Sequence, residues 1–353
     1  MKKVISIIIY MFCSVSLYSQ TVTSLPCLDN YTIPVNIRGA VVGKFINTNS
    51  NDSEKIILVK DTSGMFRIDK KGSIALKTNV KILPSSKVVS YGITIKVQGK
   101  QVEFELVKDD FLHNKVVAHR GAWKNHHLTE NTIGSLKKAI ALGCEGSEFD
   151  VWLSSDNVPV ICHDGSVKGK QIEKTTAEEL QKVDLENGDV VPTLKQYLLT
   201  IKSQNKTRLF LEIKSSGVSQ ERSLAVADSV MRMVHDLKVQ AWVKYISFNY
   251  GVLQRIHQLD PTAPTAYLNG DKKVNELNND GVSGLDYPFY SFHSDKTLTT
   301  DAHHLGLTVN VWTVDNKVEM EFLLKEGVDQ ITTNEPEMLL ELIGTNYLSS
   351  SIK

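Results

Sequence analysis

The feature that most limits the possible folds is an alternation of short apolar runs with helical stretches, which begins near residue 115 and continues through roughly 230 residues. Such alternation predicts an α/β fold with a parallel sheet, and at this length it favours a (β/α)8 TIM-type barrel. A doubly wound open sheet is the alternative, although the chain has no Gly-x-Gly-x-x-Gly turn. The segment 282–290 is the least regular, and the clearer runs are 116–118, 148–152, 158–161, 208–213, 242–248, 264–268, 307–312 and 329–332.

The preceding region, residues 21–110, has a different period. Apolar and polar side chains alternate in 93–97 and 102–106, and Gln98-Gly99 between them is typical of a hairpin turn. Further runs at 55–59 and 65–69 predict a small all-β sandwich. The string 66–76 resembles the middle of a cadherin-like repeat, without the acidic calcium-linker motifs. We therefore divide the chain into 1–19, 20–112 and 113–353, and the partner of the middle region is unknown.

The N terminus reads as a signal peptide. Lys2 and Lys3 precede an apolar stretch from Val4 to Leu17, with a plausible cleavage after Ser19. The stretch is shorter than the roughly 20 residues that a spanning helix needs, and no later stretch reaches that length. A buried N-terminal strand or helix is the alternative. The pattern predicts a protein exported to the periplasm or cell surface of a bacterium, without a transmembrane helix.

Charge and cysteine content narrow the classes further. The 353 residues carry 40 Lys+Arg and 40 Asp+Glu, so no basic excess indicates nucleic-acid binding. Removal of the leader takes away Cys13 and leaves three cysteines, so at least one thiol is free or pairs between chains. Cys144 and Cys162 flank an acidic motif and are close enough in sequence to form a bridge. Buried apolar thiols are the commoner case.

Conspicuous polar residues occur where the predicted strands end. In a parallel barrel the carboxyl ends of the strands build the active site. The groups are His119-Arg120 after the first run, Glu148 and Asp150 in the second, His163-Asp164 after the third, Glu212 and Lys214 at the next, and Trp312 at a later one.

Glu148, Asp150 and Glu212 predict a metal site. Residues two apart on a strand point to one face, so Glu148 and Asp150 project together. A solvated strand face explains one such pair, but three acids within apolar strands need compensation. An oxygen-rich cage suits one hard divalent cation, Ca²⁺ or Mg²⁺.

Basic residues beside this cage indicate phosphate chemistry. His119 and His163 can exchange protons near neutral pH as general acid and base. Arg120 can hold a phosphate through two parallel hydrogen bonds, and Lys214 adds a point charge. Together with a cation, this set favours attack on a phosphate ester.

These residues resemble the glycerophosphodiester phosphodiesterase family over roughly residues 115–340. The resemblance implies a TIM-type barrel and a small-molecule glycerophosphodiester substrate. The matching motifs are His119-Arg120-Gly121, Glu130-Asn131-Thr132, Glu148-Phe149-Asp150-Val151, His163-Asp164, 191–194, Glu212-Ile213-Lys214, 246–248, 311–314, 327–329 and 332–336.

The family likeness also implies a role for each residue. Glu148, Asp150 and Glu212 would bind the cation, and Arg120 and Lys214 would hold the phosphate. His119 and His163 would be the general acid and base, with the resemblance leaving open which is which. Trp312 would line the pocket, as Phe248 would unless it is a core aromatic. Glu130 would be an acid near the metal site, or a first-turn helix charge. The implied mechanism attacks phosphorus with the glycerol 2-hydroxyl, forms a cyclic phosphate and opens it with water.

One departure and two alternatives remain. The stretch 165–170 replaces a Thr-Leu-x-Arg-Thr-Thr-like segment of the family, so the alcohol group of the substrate is open. A phosphatidylinositol phospholipase C-like or lysophospholipid phosphodiesterase keeps the barrel with another substrate. The alternative of another class is a non-catalytic exported binding protein whose barrel has lost its activity. Such a barrel should have lost some site residues, but none of the two His, three acids, Arg and Lys is missing.

Overall fold

The computed structural model describes residues 24–46 and 56–350, with the side chains of 345–350 left out. The predicted signal peptide and Cys13 lie outside these residues. The first region contains eight strands, β1 (Cys27–Leu28), β2 (Thr32–Ile33), β3 (Val41–Ile46), β4 (Ile57–Asp61), β5 (Phe66–Ile68), β6 (Ser73–Leu76), β7 (Ser90–Val97) and β8 (Lys100–Lys108).

These strands form the predicted sandwich. One sheet has the order β1-β3-β6-β5 and the other has β2-β8-β7-β4. Phe66, Ile93 and Phe104 are buried in one apolar cluster that the two sheets share. The Gln98-Gly99 turn between β7 and β8 has positive φ at both residues, 52° and 76°, as a type I′ hairpin turn requires.

The second region begins with a new set of strands and helices. The strands are β9 (Val116–Ala118), β10 (Gly146–Leu153), β11 (Pro159–Ile161), β12 (Ser166–Val167), β13 (Lys170–Gln171), β14 (Arg208–Ile213), β15 (Val243–Ser247), β16 (Thr265–Tyr267), β17 (Gly284–Pro288), β18 (Thr308–Trp312) and β19 (Gln330–Thr333). The helices are α1 (Ile133–Leu142), α2 (Ala177–Leu180), α3 (Leu194–Ile201), α4 (Gln220–Leu237), α5 (Tyr250–Leu259), α6 (Val274–Asn279), α7 (Tyr290–Ser294), α8 (Leu298–His304), α9 (Lys317–Lys325) and α10 (Pro336–Ser350).

Within residues 56–350, eight of these strands close into the predicted parallel barrel. Their order is β9-β10-β14-β15-β16-β17-β18-β19, and β19 pairs with β9. Val117, Phe210, Ile246 and Leu268 pack together as one apolar cluster of barrel residues. The (β/α)8 prediction is therefore confirmed.

The third predicted run is not a barrel strand. Residues 158–161 contain β11, which pairs antiparallel with the end of β10 and leads to His163. The chain reverses at Asn157, whose φ is 61°, so the run returns along its own neighbour instead of crossing over a helix. The eighth place in the ring belongs to β17, in the segment whose pattern is least regular.

Polar side chains define where several helices begin. Thr132 accepts a hydrogen bond from the Ser135 N–H at the start of α1, and Thr193 accepts one from Gln196 at the start of α3. Ser219 and Asn249 cap α4 and α5 in the same way. Each cap satisfies an N–H that the helix itself leaves free, which fixes the end of the preceding loop.

The sandwich covers the N-terminal end of the barrel. The Leu25 N–H donates to the Leu259 carbonyl at 2.6 Å, the Thr262 hydroxyl donates to the Leu28 carbonyl at 2.9 Å, and the Asn205 amide donates to the Lys108 carbonyl at 2.7 Å. The barrel partners lie just before β14 and β16. The described contacts of the sandwich do not include the opposite end, where the strands finish.

Two further findings concern the predicted classes. Cys27, Cys144 and Cys162 are free thiols, and the first two are buried. The helices in the described part of the chain include none with the length and apolar character needed to cross a membrane.

Candidate active site

A strained turn follows the first barrel strand and carries His119, Arg120 and Gly121. Arg120 has φ 58° and Gly121 has φ 81°. A Cβ on Gly121 would lie 2.6 Å from the Ser135 backbone carbon, so only glycine fits this close approach to α1. The turn aims the Arg120 N–H at Glu148 Oε2, 2.9 Å away. Backbone strain of this kind is typical of functional sites.

Glu148, Asp150 and Glu212 meet as predicted. Asp150 on β10 and Glu212 on β14 are partners in the strand register, and oxygens of all three acids lie within 4.8 Å of one another. Burial and then the neighbouring charges of Asp150 and Glu212 raise the pKa of Glu148. Burial and then Asp150 raise the pKa of Glu212 to about 8. The buried acids repel one another and fit a bound cation.

One ammonium group and one amide offset part of this repulsion. Lys214 Nζ lies 2.8 Å from Glu212 Oε1 and 3.1 Å from Asp150 Oδ1. The Asn131 amide donates to Asp150 Oδ2 at 2.8 Å and accepts from the Asp150 N–H at 3.1 Å. Burial acts to raise the pKa of Asp150, but Lys214, His163 and Asn131 hold it below its usual value.

His119 is held by a chain of polar residues from the last barrel strand. Its Nδ1 lies 2.9 Å from the Asn334 amide oxygen, while the Asn334 Nδ2 donates to Asp315 at 2.8 Å. Because the amide oxygen can only accept, the proton of neutral His119 is on Nδ1. Its Nε2 is then a free acceptor, 3.8 Å from Glu148 Oε2. Burial and then Arg120 lower the pKa of His119 to about 4.

His163 has a different partner. Its Nδ1 lies 2.8 Å from Asp164 Oδ1, and its side chain is 37% exposed. The Trp152 indole donates to the His163 carbonyl at 3.2 Å, which fixes the backbone. The two histidines therefore differ in the group that contacts Nδ1, which is a carboxylate oxygen at His163 and an amide oxygen at His119.

Arg120 is clamped by Glu130. Its Nη1 lies 2.9 Å from both Glu130 oxygens. Its Nε lies 3.8 Å from Asp150 Oδ2 and has no hydrogen-bond partner among the described residues. Glu130 is the partner of Arg120 and is not one of the three clustered acids. The Arg120 Nε–H is therefore a donor that could bind an anion.

The set opens into a cavity of about 130 Å³. One part of its wall is polar, and Phe248 and Trp312 contribute apolar surface to the rest. Their rings meet edge to face, with centroids 5.4 Å apart. The lining residues are His119, Arg120, Glu148, His163, Glu212, Lys214, Ile246, Phe248, Leu268, Asp286, Trp312, Thr313 and Thr332.

Comparison with known proteins now decides the family. The model of the glycerophosphoryl diester phosphodiesterase family matches residues 119–338. The chain belongs to this family. A glycerophosphodiester phosphodiesterase of Caldanaerobacter subterraneus is 31% identical over 244 residues, which cover 65% of this chain and 97% of that protein.

Solved structures of the family share the barrel. One from Parabacteroides distasonis is 40% identical, with a TM-score of 0.64, over 66% of this chain and 98% of that one. The Oleispira antarctica phosphodiesterase, solved with its product sn-glycerol-3-phosphate, is 23% identical with a TM-score of 0.58, over 65% and 96%. Nearly all of each relative aligns with two thirds of this chain. The phosphodiesterase assignment is confirmed, and the remaining third has no counterpart in these relatives.

Four polar residues of this phosphodiesterase site were given no role from the sequence. Asn131 and Asn334 stand within the motifs that carry the resemblance, but an uncharged amide gives no pattern of its own. Asp315 follows the run that contains Trp312, and Asp286 lies in the irregular segment 282–290. A search for polar residues at every strand end would have found Asn334, which follows β19 directly.

Proposed function

We propose that the protein hydrolyses glycerophosphodiesters to glycerol 3-phosphate and an alcohol, and that it does so with a bound divalent cation and two histidines. The observation that carries the proposal is one cavity that brings together the clustered acids, two histidines with different Nδ1 partners, and an Arg120 N–H that has no hydrogen-bond partner among the described residues. Glycerol 3-phosphate is also the product bound by the Oleispira antarctica enzyme.

Glu148, Asp150 and Glu212 would hold the cation, Ca²⁺ or Mg²⁺. Each is at most 7% exposed, and Lys214 alone leaves their charge unbalanced. A bound cation of this kind polarises a phosphate oxygen and lowers the pKa of a nearby hydroxyl. Carboxylate oxygens are the ligands that both ions prefer.

His119 would act as base in the first step. Its free Nε2 takes the proton of the glycerol 2-hydroxyl while that oxygen bonds to phosphorus. The bond from phosphorus to the leaving alcohol breaks, and the alcohol oxygen takes a proton from His163. The product of this step is a cyclic phosphate. Water then attacks phosphorus with the proton transfers reversed, which opens the ring to glycerol 3-phosphate. Each transfer contributes about 10²–10⁴-fold.

Arg120 would hold the phosphate during both steps. Its Nε–H has no partner among the described residues, and Glu130 fixes the guanidinium through two contacts at 2.9 Å. A planar fork that is fixed in this way loses little freedom when it binds an anion. Lys214, already close to Asp150 and Glu212, adds positive charge next to the developing phosphate charge.

The test is release of glycerol 3-phosphate from a panel of glycerophosphodiesters, with Ca²⁺, with Mg²⁺ and with excess EDTA. We expect release with one cation and loss of at least 100-fold in EDTA, restored when that cation is added back. Full activity in EDTA would exclude the cation. Release only from inositol lipids or lysophospholipids would replace the substrate class. Absence of release and of cation binding would indicate the non-catalytic binding protein.

Export is a separate proposal that rests on the sequence. The lysines and apolar stretch before Ser19 support cleavage after that residue and transfer to the periplasm or cell surface. Expression of the full chain in a bacterium, followed by intact-mass measurement of the exported fraction, tests it. A protein that keeps Met1 and stays in the cytoplasm would contradict it.

A further inference from the structure

Asp286 has a buried oxygen that nothing in the described structure satisfies. The residue is 1% exposed on β17, and its Oδ2 accepts a hydrogen bond from Asn310 Nδ2 at 2.9 Å. Its Oδ1 is buried and has no hydrogen-bond partner among the described residues. Such groups are rare because an unsatisfied buried acceptor costs about 1–3 kcal/mol. An oxygen in this position needs an explanation.

The position of Asp286 supplies one. It lines the same cavity as His119, Glu148 and Glu212. In the ring order, β17 is four strands from β10, so Asp286 lies across the barrel from Glu148. Phe248 and Leu268 give the cavity apolar wall. A small molecule held at the clustered acids would therefore meet one carboxyl group on the far wall.

The side chain is fixed in its orientation. The Asn310 amide that binds it also donates to Thr332 Oγ1 at 2.9 Å, so the amide cannot turn away. The Trp312 indole donates to the main-chain carbonyl of Asp286 at 2.8 Å, which fixes the backbone. A carboxyl group that is bonded at one oxygen and carried on a fixed backbone keeps its second oxygen in place, as a binding residue requires.

The chemistry of this carboxyl favours a hydroxyl partner. Burial raises the pKa of Asp286 to about 7, against the opposing effects of Asn310 and Lys244. Near neutral pH the group therefore exists both with and without a proton, and it can donate or accept. An alcohol also does both, whereas an ammonium group can only donate.

We propose that Asp286 is a specificity residue that binds the terminal hydroxyl of the glycerol unit through Oδ1. This inference rests on the proposed function, because the glycerol 2-hydroxyl must sit at the histidines. Diesters with a free terminal hydroxyl are then preferred, and substrates whose terminal oxygen is acylated, as in lysophospholipids, are disfavoured. A site built to bond a hydroxyl discriminates strongly against an analogue that lacks it.

Two substrates that differ in this one group provide the test. Glycerophosphocholine has the terminal hydroxyl, and the phosphocholine diester of propane-1,2-diol keeps the attacking 2-hydroxyl but ends in a methyl group. We expect the wild-type protein to prefer the first by roughly 10- to 100-fold in kcat/KM. Asp286→Leu should remove that preference, because kcat/KM for glycerophosphocholine falls by about this factor relative to kcat/KM for the propanediol diester.

Asp286→Asn serves as the second variant, because it keeps the shape and the bond to Asn310. It places an NH₂ group where Oδ1 stood, so it should reduce the preference to an intermediate value. Asp236→Leu, at an exposed position on α4, is the matched control and should change neither substrate. Thermal melting of each variant shows whether it is folded, and if the leucine variant is not, the asparagine variant decides.

The possible outcomes distinguish failure of the Asp286 role from failure of the proposed hydrolysis. The pair is made with an alcohol that wild type releases in the panel, of which choline is one example, and release from no member of the panel overturns both. Hydrolysis of both substrates at equal kcat/KM overturns the role of Asp286 and leaves the proposed function intact. Folded Asp286 variants that lose both substrates equally overturn it too, since that result indicates a general effect on the site.

Discussion

The two ends of the barrel bury charged groups in opposite ways. At the end under the sandwich, Glu145 is 4% exposed and accepts hydrogen bonds from the Lys115 N–H and the Gln330 amide, both at 2.8 Å. At the open end, three clustered acids are near one ammonium group, and Arg120 and Asp286 each keep an atom without a partner among the described residues.

The difference separates stability from function. Satisfied polar groups such as Glu145 stabilise the covered end, although Asp109 Oδ1 there has no hydrogen-bond partner among the described residues. The unsatisfied atoms at the open end belong to Arg120 and Asp286, which line the cavity. In barrels of this class the active site is built at the carboxyl ends of the strands. The relatives match the barrel over nearly their whole length, so the catalytic end does not depend on a sandwich in them.

The largest effect expected is on catalysis at the open end. His119→Ala and His163→Ala should each reduce kcat/KM for glycerophosphodiesters by about 10²–10⁴-fold, because each removes one proton transfer. The melting temperature should change little. Unchanged turnover in either variant would contradict the assignment of that histidine.

His303→Ala is the matched control for the histidine variants. His303 is a partly exposed residue that pairs with Asp329 at 3.0 Å, before β18 and so at the covered end. Its loss should leave kcat/KM unchanged. A large loss of activity in this variant would remove the contrast between the two ends.

The second effect is on stability at the covered end. Asp260 is 2% exposed and accepts a hydrogen bond from His235 at 3.0 Å and from the Thr262 N–H at 2.9 Å. Asp260→Ala should lower the free energy of unfolding by about 3–5 kcal/mol, because it breaks a buried pair. Activity below the melting transition should not change.

Asp228→Ala provides the comparison for this variant. Asp228 pairs with Arg255 at 2.6 Å but is partly exposed. It should cost at most about 1 kcal/mol in a denaturant titration. Equal losses from Asp228→Ala and Asp260→Ala would show that burial does not set the difference.

The smallest effect should have the opposite sign. Burial and the charges of Asp150 and Glu212 raise the pKa of Glu148, so Glu148→Gln removes an acid whose ionisation the folded protein opposes, while its amide oxygen can still accept from the Arg120 N–H. In EDTA we expect a gain of about 1 kcal/mol, or roughly 2 °C in the melting temperature. Glu145→Gln, at the satisfied end, should lower it. A lower melting temperature in both variants would contradict the prediction that the acids at the open end destabilise the protein without a cation.

The sequence predicted the barrel strands whose apolar residues indicate burial in a sheet. β9 and β14 are near-continuous apolar runs, as strands buried on both faces should be. β17 is not, because it carries Asp286 and Pro288 within five residues. The apolar run at β11 resembles a barrel strand, but an apolar run does not determine which strand it pairs with.

The site was predictable to the extent that its residues carry charge. Acids and histidines after apolar runs are conspicuous, so Glu148, Asp150 and Glu212 were found and the structure brings them together. The supporting groups depend on distant contacts. His119 and Asn334 are 215 residues apart, and no local pattern joins them.

Because His119 and Asn334 are so far apart in sequence, the active site can be completed only late in synthesis. β9 obtains its last neighbour only when β19 has been made, and His119 obtains Asn334 one residue after β19 ends. A nascent chain released before residue 334 lacks both the ring closure and the proton-fixing partner. We expect such fragments to be inactive in a glycerol 3-phosphate assay. Activity would therefore begin only after β19 and Asn334 have been synthesised.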